Sequence, residues 1–171
     1  MNAITPSTLA AVPVPVIPPH PQQPGSPWLA GFDRRDFLEV GAYDSAPMTV
    51  RGLMRERLPL WGLGHLLEVA ELVGSELITN SVAATRESAW DGSLPPVRVW
   101  LLGSAAGLTV PVWDAVARGP VKREAGPDDE SGRGLGIVAA LSTRWDFYFP
   151  SHPFTGKVTW AFIQQSDFTE G

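Results

Sequence analysis

The stretch from Gly64 to Thr85 constrains this chain most. Leu66, Leu67, Val69, Ala70, Leu72, Val73, Leu77, Ile78 and Val82 recur at helical spacing and fill a broad apolar face, which predicts one long central helix. Such a face has to be covered by other elements. After Asp91-Gly92 and Pro95-Pro96, the runs Val97–Leu102 and Leu108–Trp113 read as two strands of a hairpin joined by a glycine-containing turn. Pro111 falls inside the second run, where it either weakens the strand or sits with its missing donor off the ladder.

The flanking segments extend the same architecture. Phe32 to Tyr43 mixes apolar residues with acids and arginines, as an edge strand does. Asp44-Ser45-Ala46-Pro47 is a helix start, with a capping Asp or Ser followed by a proline whose missing donor costs little in a first turn. Val50, Leu53, Met54, Arg57 and Leu58 follow at helical spacing, and Pro59 and Gly62 close that helix. Residues 115–131 offer little to bury and read as a mobile loop long enough to be a lid. A short helix is predicted from Gly132 to about Leu141, then strands at Arg144–Phe149 and Lys157–Ile163 around a turn at Pro150-Ser151-His152-Pro153. The expected fold is α+β: a two-layer α/β sandwich with helices on one face of a mixed, mostly antiparallel sheet.

At 171 residues and 44% hydrophobic, the chain fits one domain with its own core. Eight of the 17 prolines lie in the first 27 residues. Residues 1–27 therefore read as an extended or disordered tail, with a docking motif for a proline-reading domain as the less favoured use. Residues 28–166 form the expected domain and 167–171 a short C-terminal tail. With no cysteine, disulfides, thiolate catalysis and cysteine-ligated zinc are excluded. No stretch reaches the ~20 apolar residues of a membrane span and no signal-peptide pattern opens the chain, so a cytoplasmic protein is expected. The net charge of −5 argues against direct nucleic-acid binding and leaves a protein partner or a small ligand. His20, His65 and His152 have no second ligand at metal spacing, and Trp61, Trp100, Trp113, Trp145 and Trp160 sit where core packing is favoured over base stacking. Ser75 and Ser131 lack the His and Asp arrangement that would activate a nucleophile.

Three features bear chemistry. Glu76 and Asn80, four apart, project from one side of the long helix; they are either polar residues of an amphipathic surface or an acid and a hard amide oxygen serving one ligand. Asp114 ends an apolar strand, as a strand-ending cap or as a half-buried acceptor for an amino group. Gly132-Arg133-Gly134, directly before Leu135, Ile137 and Val138, is either a flexible turn or a set of bare backbone donors suited to phosphate.

In this order, the features resemble the Bergerat-fold ATPases, the histidine-kinase-like group that includes gyrase and the MutL proteins, and within them the anti-sigma-factor serine/threonine kinases. Val73-Gly74-Ser75-Glu76-Leu77-Ile78-Thr79-Asn80-Ser81-Val82 is similar to their N box, Asp128 to Leu135 to the stretch that closes over the phosphates, and Gly156-Lys157-Val158-Thr159-Trp160 to their final strand. The likeness spans about residues 44–163. It implies ATP with Mg²⁺ as ligands: Asn80 on the metal, Asp114 on adenine with Thr159 nearby, Gly132 and Gly134 on the phosphates beside Arg133, and Glu76 as the base. It further implies a sigma factor or an antagonist protein as partner, and a homodimer. Two positions depart from the pattern. Asp114 is followed by Ala115-Val116-Ala117-Arg118 instead of a glycine-rich turn, and Ala84 replaces a polar residue on the phosphate side. Both point toward the alternative, a catalytically inactive interaction module of the same fold.

Overall fold

Helix α1 (Ala46–Leu60) starts where Pro47 enters the first turn. Ser45 is its N-cap but makes no side-chain capping bond; its carbonyl instead accepts from the Thr49 N–H at 3.1 Å and the Thr49 hydroxyl at 3.2 Å. Pro59 is accommodated inside the last turn, and the helix ends one residue beyond it. A 3₁₀ turn (Gly64–Leu66) then leads into α2 (Leu67–Ser88), so the segment read as one helix begins with a tighter turn. The computed structural model describes residues 14–22, 31–89, 92–120 and 134–165.

Five strands and three α-helices make up the described residues. The strands are β1 (Arg34–Val40), β2 (Val97–Ser104), β3 (Gly107–Asp114), β4 (Arg144–Tyr148) and β5 (Lys157–Gln164), and the third helix is α3 (Gly134–Leu141). Their order in the sheet is β1-β2-β3-β5-β4. Every neighbouring pair is antiparallel, so the sheet is not mixed, and β1 lies at an edge as its sequence suggests. Pro111 sits in the central strand β3. Its pairing with β5 continues through Pro111↔Trp160, whereas the β2 ladder pairs Val99↔Val112 and Leu102↔Thr109 and skips the residues between. The interruption is what a residue without an N–H does to one of two ladders.

The alternation of strand side chains divides the interior. Val97, Val99 and Leu101 of β2, Leu108, Val110 and Val112 of β3, and Ala161 and Ile163 of β5 pack on the buried faces of α1 and α2 and on Val138 of α3. The opposite face carries Phe37, Trp100, Leu102, Trp113, Tyr148, Val158 and Trp160. No helix covers this second face among the described residues; the N-terminal segment does. Ile17 is 3% exposed, the Pro15 carbonyl accepts from Trp100 Nε1 at 2.9 Å, and the Pro18 carbonyl accepts from the Tyr148 hydroxyl at 2.7 Å. The proline-rich run expected to be an extended or disordered tail is thus, over residues 14–20, an extended strip lying on the sheet. Among the described residues no helix is long and apolar enough to cross a membrane.

Candidate functional site

Strand register places the site. Asp114, at the end of β3, faces Lys157, at the start of β5, as a cross-strand pair. By the two-residue period both point to the same sheet face as Val112, Thr159 and Ala161, the face that α2 covers. On α2, Glu76 and Asn80 are separated by one turn and overhang this end of the sheet.

Helix α3 closes the arrangement. A Cβ built on Gly134 would lie 2.5 Å from Glu76 Oε2 and 3.6 Å from Asn80 Nδ2, so the start of α3 packs directly on both side chains and a larger residue there would push the Glu76 carboxylate aside. Glu76, Asn80, Arg118, Leu135, Lys157 and Thr159 line one cavity of about 140 Å³. The structure therefore brings together Glu76, Asn80, Gly134 and Thr159 from three separate stretches of chain. Gly132 and Arg133 lie outside the described residues, as does most of the expected lid. The lid's first residues are anchored: Arg118 Nη2 donates to Glu87 Oε2 at 3.1 Å, and Gly119 approaches the Phe147 ring closely.

Asp114 differs from the half-buried acceptor expected of it. It is 0% exposed and does not itself line the cavity, whereas Lys157, 3% exposed, does. Lys157 Nζ stands 2.8 Å from both carboxylate oxygens; it donates a hydrogen bond to Oδ1 and meets Oδ2 as an ion pair without an aligned bond. Oδ1 also accepts from the Val116 N–H at 3.0 Å. Gly156, just before Lys157, has φ +80°, and a Cβ there would lie 2.1 Å from the Asp114 carbonyl oxygen, so glycine is needed to seat the pair. Lys157 was given no role by its sequence context. The available signal is an isolated charge opening an apolar strand, which requires a buried counter-charge somewhere else in the chain.

The donor set fits a metal held mainly by its ligand. Among the described residues no three His, Cys, Asp or Glu side chains cluster to hold an ion by themselves. Mg²⁺ needs only one or two protein oxygens when phosphates and waters supply the others. Asn80 and Glu76 offer hard oxygens beside the cavity, and Asn80 Nδ2 is buried with no hydrogen-bond partner among the described residues.

Burial raises the Glu76 carboxyl above the usual carboxylate range. Folded chain thus keeps this proton to higher pH than unfolded chain, so stability is greatest below the ordinary Glu range and falls as pH rises through the raised value. Glu76→Gln abolishes the fall. We expect its melting temperature to match the parent near about pH 4 and to exceed it near about pH 7; melts at the two pH values check this, and equal differences at both would show an ordinary surface carboxylate. No protein-family model matches the chain, and no curated relative does.

Proposed function

We propose that the chain is a cytoplasmic regulatory protein of the Bergerat fold that binds a magnesium–nucleoside triphosphate, ATP being the one its sequence resemblance implies. It passes the γ-phosphate to a serine or threonine of an antagonist protein and sequesters a sigma factor. The observation that carries this reading is the convergence of Glu76, Asn80 and Thr159 on one cavity at the end of the sheet, with Gly134 packed against the first two. Asn80 would hold Mg²⁺, which neutralises phosphate charge when bound. The charges support a metal-bound ligand: the cavity wall carries Glu76 and Glu87 against Arg118 and Lys157, and Arg118 and Lys157 are already paired with Glu87 and Asp114, so a polyphosphate finds no surplus of positive charge and calls for a metal to neutralise it.

Glu76 suits the base. As the substrate hydroxyl oxygen bonds to γ-phosphorus and the bond to the nucleoside diphosphate breaks, Glu76 takes the hydroxyl proton. Its raised carboxyl brings it nearer the neutral range in which a general base is most effective. The partner gains roughly two negative charges, a change able to weaken its hold on this chain.

Ala84 favours a second reading. It lines the cavity where a polar group would meet phosphate, so a site that binds nucleotide without transferring phosphate, switching partners by binding alone, also fits the geometry.

Thermal melts with and without Mg²⁺ and ATP test the binding. A ligand at about 100 times its dissociation constant stabilises by ~2.7 kcal/mol. Parent and Glu76→Ala are expected to show this shift and Asn80→Ala to lose its magnesium-dependent part. An Asn80→Ala protein with the full shift would remove Asn80 from the site. Transfer to an added partner that survives Glu76→Ala would remove Glu76 as base.

A further inference from the structure

The Asp114–Lys157 end of the cavity, where the resemblance would put the base, carries a hydrogen-bonding polarity that the resemblance does not imply. A carboxylate there would only accept, as an amino-substituted base requires. In this chain the carboxylate is withdrawn behind a lysine: Asp114 is fully buried, its Oδ1 accepts from Lys157 Nζ and the Val116 N–H, its Oδ2 is held by the same ammonium as an ion pair, and Lys157 is the residue of the pair that lines the cavity. An ammonium carries three N–H donors and no acceptor, and the two oxygens of one carboxylate occupy at most two of them. Thr159, two residues along the same strand face and 4% exposed, adds a hydroxyl to the same wall.

We propose that Lys157 sets the base specificity of the site, so that a purine nucleoside triphosphate with a carbonyl oxygen at the 6-position is held in preference to one with an amino group there. The proposal rests on reading the cavity as a nucleotide site. A carbonyl receives the remaining lysine donor, whereas an amino group meets an ammonium that cannot accept from it and loses its own hydrogen bonds to water. Leaving a donor unpaired in a dry site is the stronger half of the discrimination.

Inosine and adenosine triphosphates differ only along this edge, a 6-carbonyl beside an N1–H against a 6-amino group beside an N1 acceptor, and titration calorimetry with Mg²⁺ on the full chain reads the difference. The parent is expected to bind the inosine nucleotide about ten- to a hundredfold more tightly. Lys157→Thr, which bares Asp114 to the cavity, is expected to remove or reverse that preference. Equal or tighter binding of the adenosine nucleotide by the parent overturns the proposal while leaving the nucleotide site intact. Binding of neither nucleotide by parent or variant overturns the nucleotide site, and the proposal with it. If Lys157→Thr does not fold, the comparison on the parent decides alone.

Discussion

Lys157→Met is expected to lower the folding free energy by about 3 to 5 kcal/mol, the cost of stripping one partner from a buried ion pair. The Asp114 side chain has 0% and the Lys157 side chain 4% of its surface exposed. Without the ammonium, the buried carboxylate keeps only the Val116 N–H. Methionine preserves the length and apolar stem of lysine, so most of the loss reports charge and not a cavity. The paired change Asp114→Leu with Lys157→Met should restore most of the stability, because well-packed apolar replacements of buried pairs are often neutral or better. Urea unfolding checks both: the midpoint of the single variant should fall with little change in slope, and that of the double variant should return toward the parent. A single-variant loss under about 1 kcal/mol, typical of an exposed pair, would mean that water reaches Asp114. The combination separates stability from specificity, since the pair matters to folding whatever the cavity binds.

That pair marks how far the sequence could be read. Glu76 and Asn80 are local partners one helical turn apart, so their common side follows from spacing alone, and the apolar face of α2 follows from the same period. Gly134 is legible as a helix start but not as a close approach to Glu76, which depends on how α3 docks on α2. Asp114 and Lys157 are 43 residues apart and meet only because β3 and β5 are neighbours in a particular register. An acid at a strand end looks the same in sequence whether it caps, accepts a ligand or is neutralised by a lysine across the ladder. The strands β2 and β3 were readable from alternation and a glycine turn, but the uniformly antiparallel sheet was not, because β5 inserts between β3 and β4. Gly132 and Arg133, expected beside the phosphates, lie outside the described residues.

Ile17→Asp is expected to cost about 3 kcal/mol and to lift residues 14–20 off the sheet. Prolines gave this segment its appearance of a tail, since a chain poor in N–H donors cannot join a ladder. The same chemistry explains its docking. Proline keeps its carbonyl, and three such carbonyls accept here: Pro15 takes the Trp100 Nε1–H, Pro18 the Tyr148 hydroxyl, and Pro19 the Ser151 N–H at 3.2 Å and hydroxyl at 3.3 Å. Trp100 and Tyr148 are aromatic residues with one polar atom to satisfy, and a proline carbonyl satisfies it from a residue that has no N–H of its own to pair. Ile17 fills the space between them at 3% exposure, worth about 1.5 to 3 kcal/mol of transfer free energy, and each lost hydrogen bond adds about 0.5 to 1.5 kcal/mol. The total is bounded, because an aspartate escapes to water by releasing the strip instead of staying buried. Val16→Asp is the control: Val16 is 76% exposed, so the same charge one residue earlier should change stability by no more than about 0.5 kcal/mol. Chemical unfolding followed by tryptophan emission distinguishes the outcomes, with Trp100 shifting to the red in the Ile17 variant before global unfolding. Equal effects of the two substitutions, or an Ile17 variant with the parent's emission and midpoint, would mean that the strip adds nothing to the fold and that the aromatic face is stable without it.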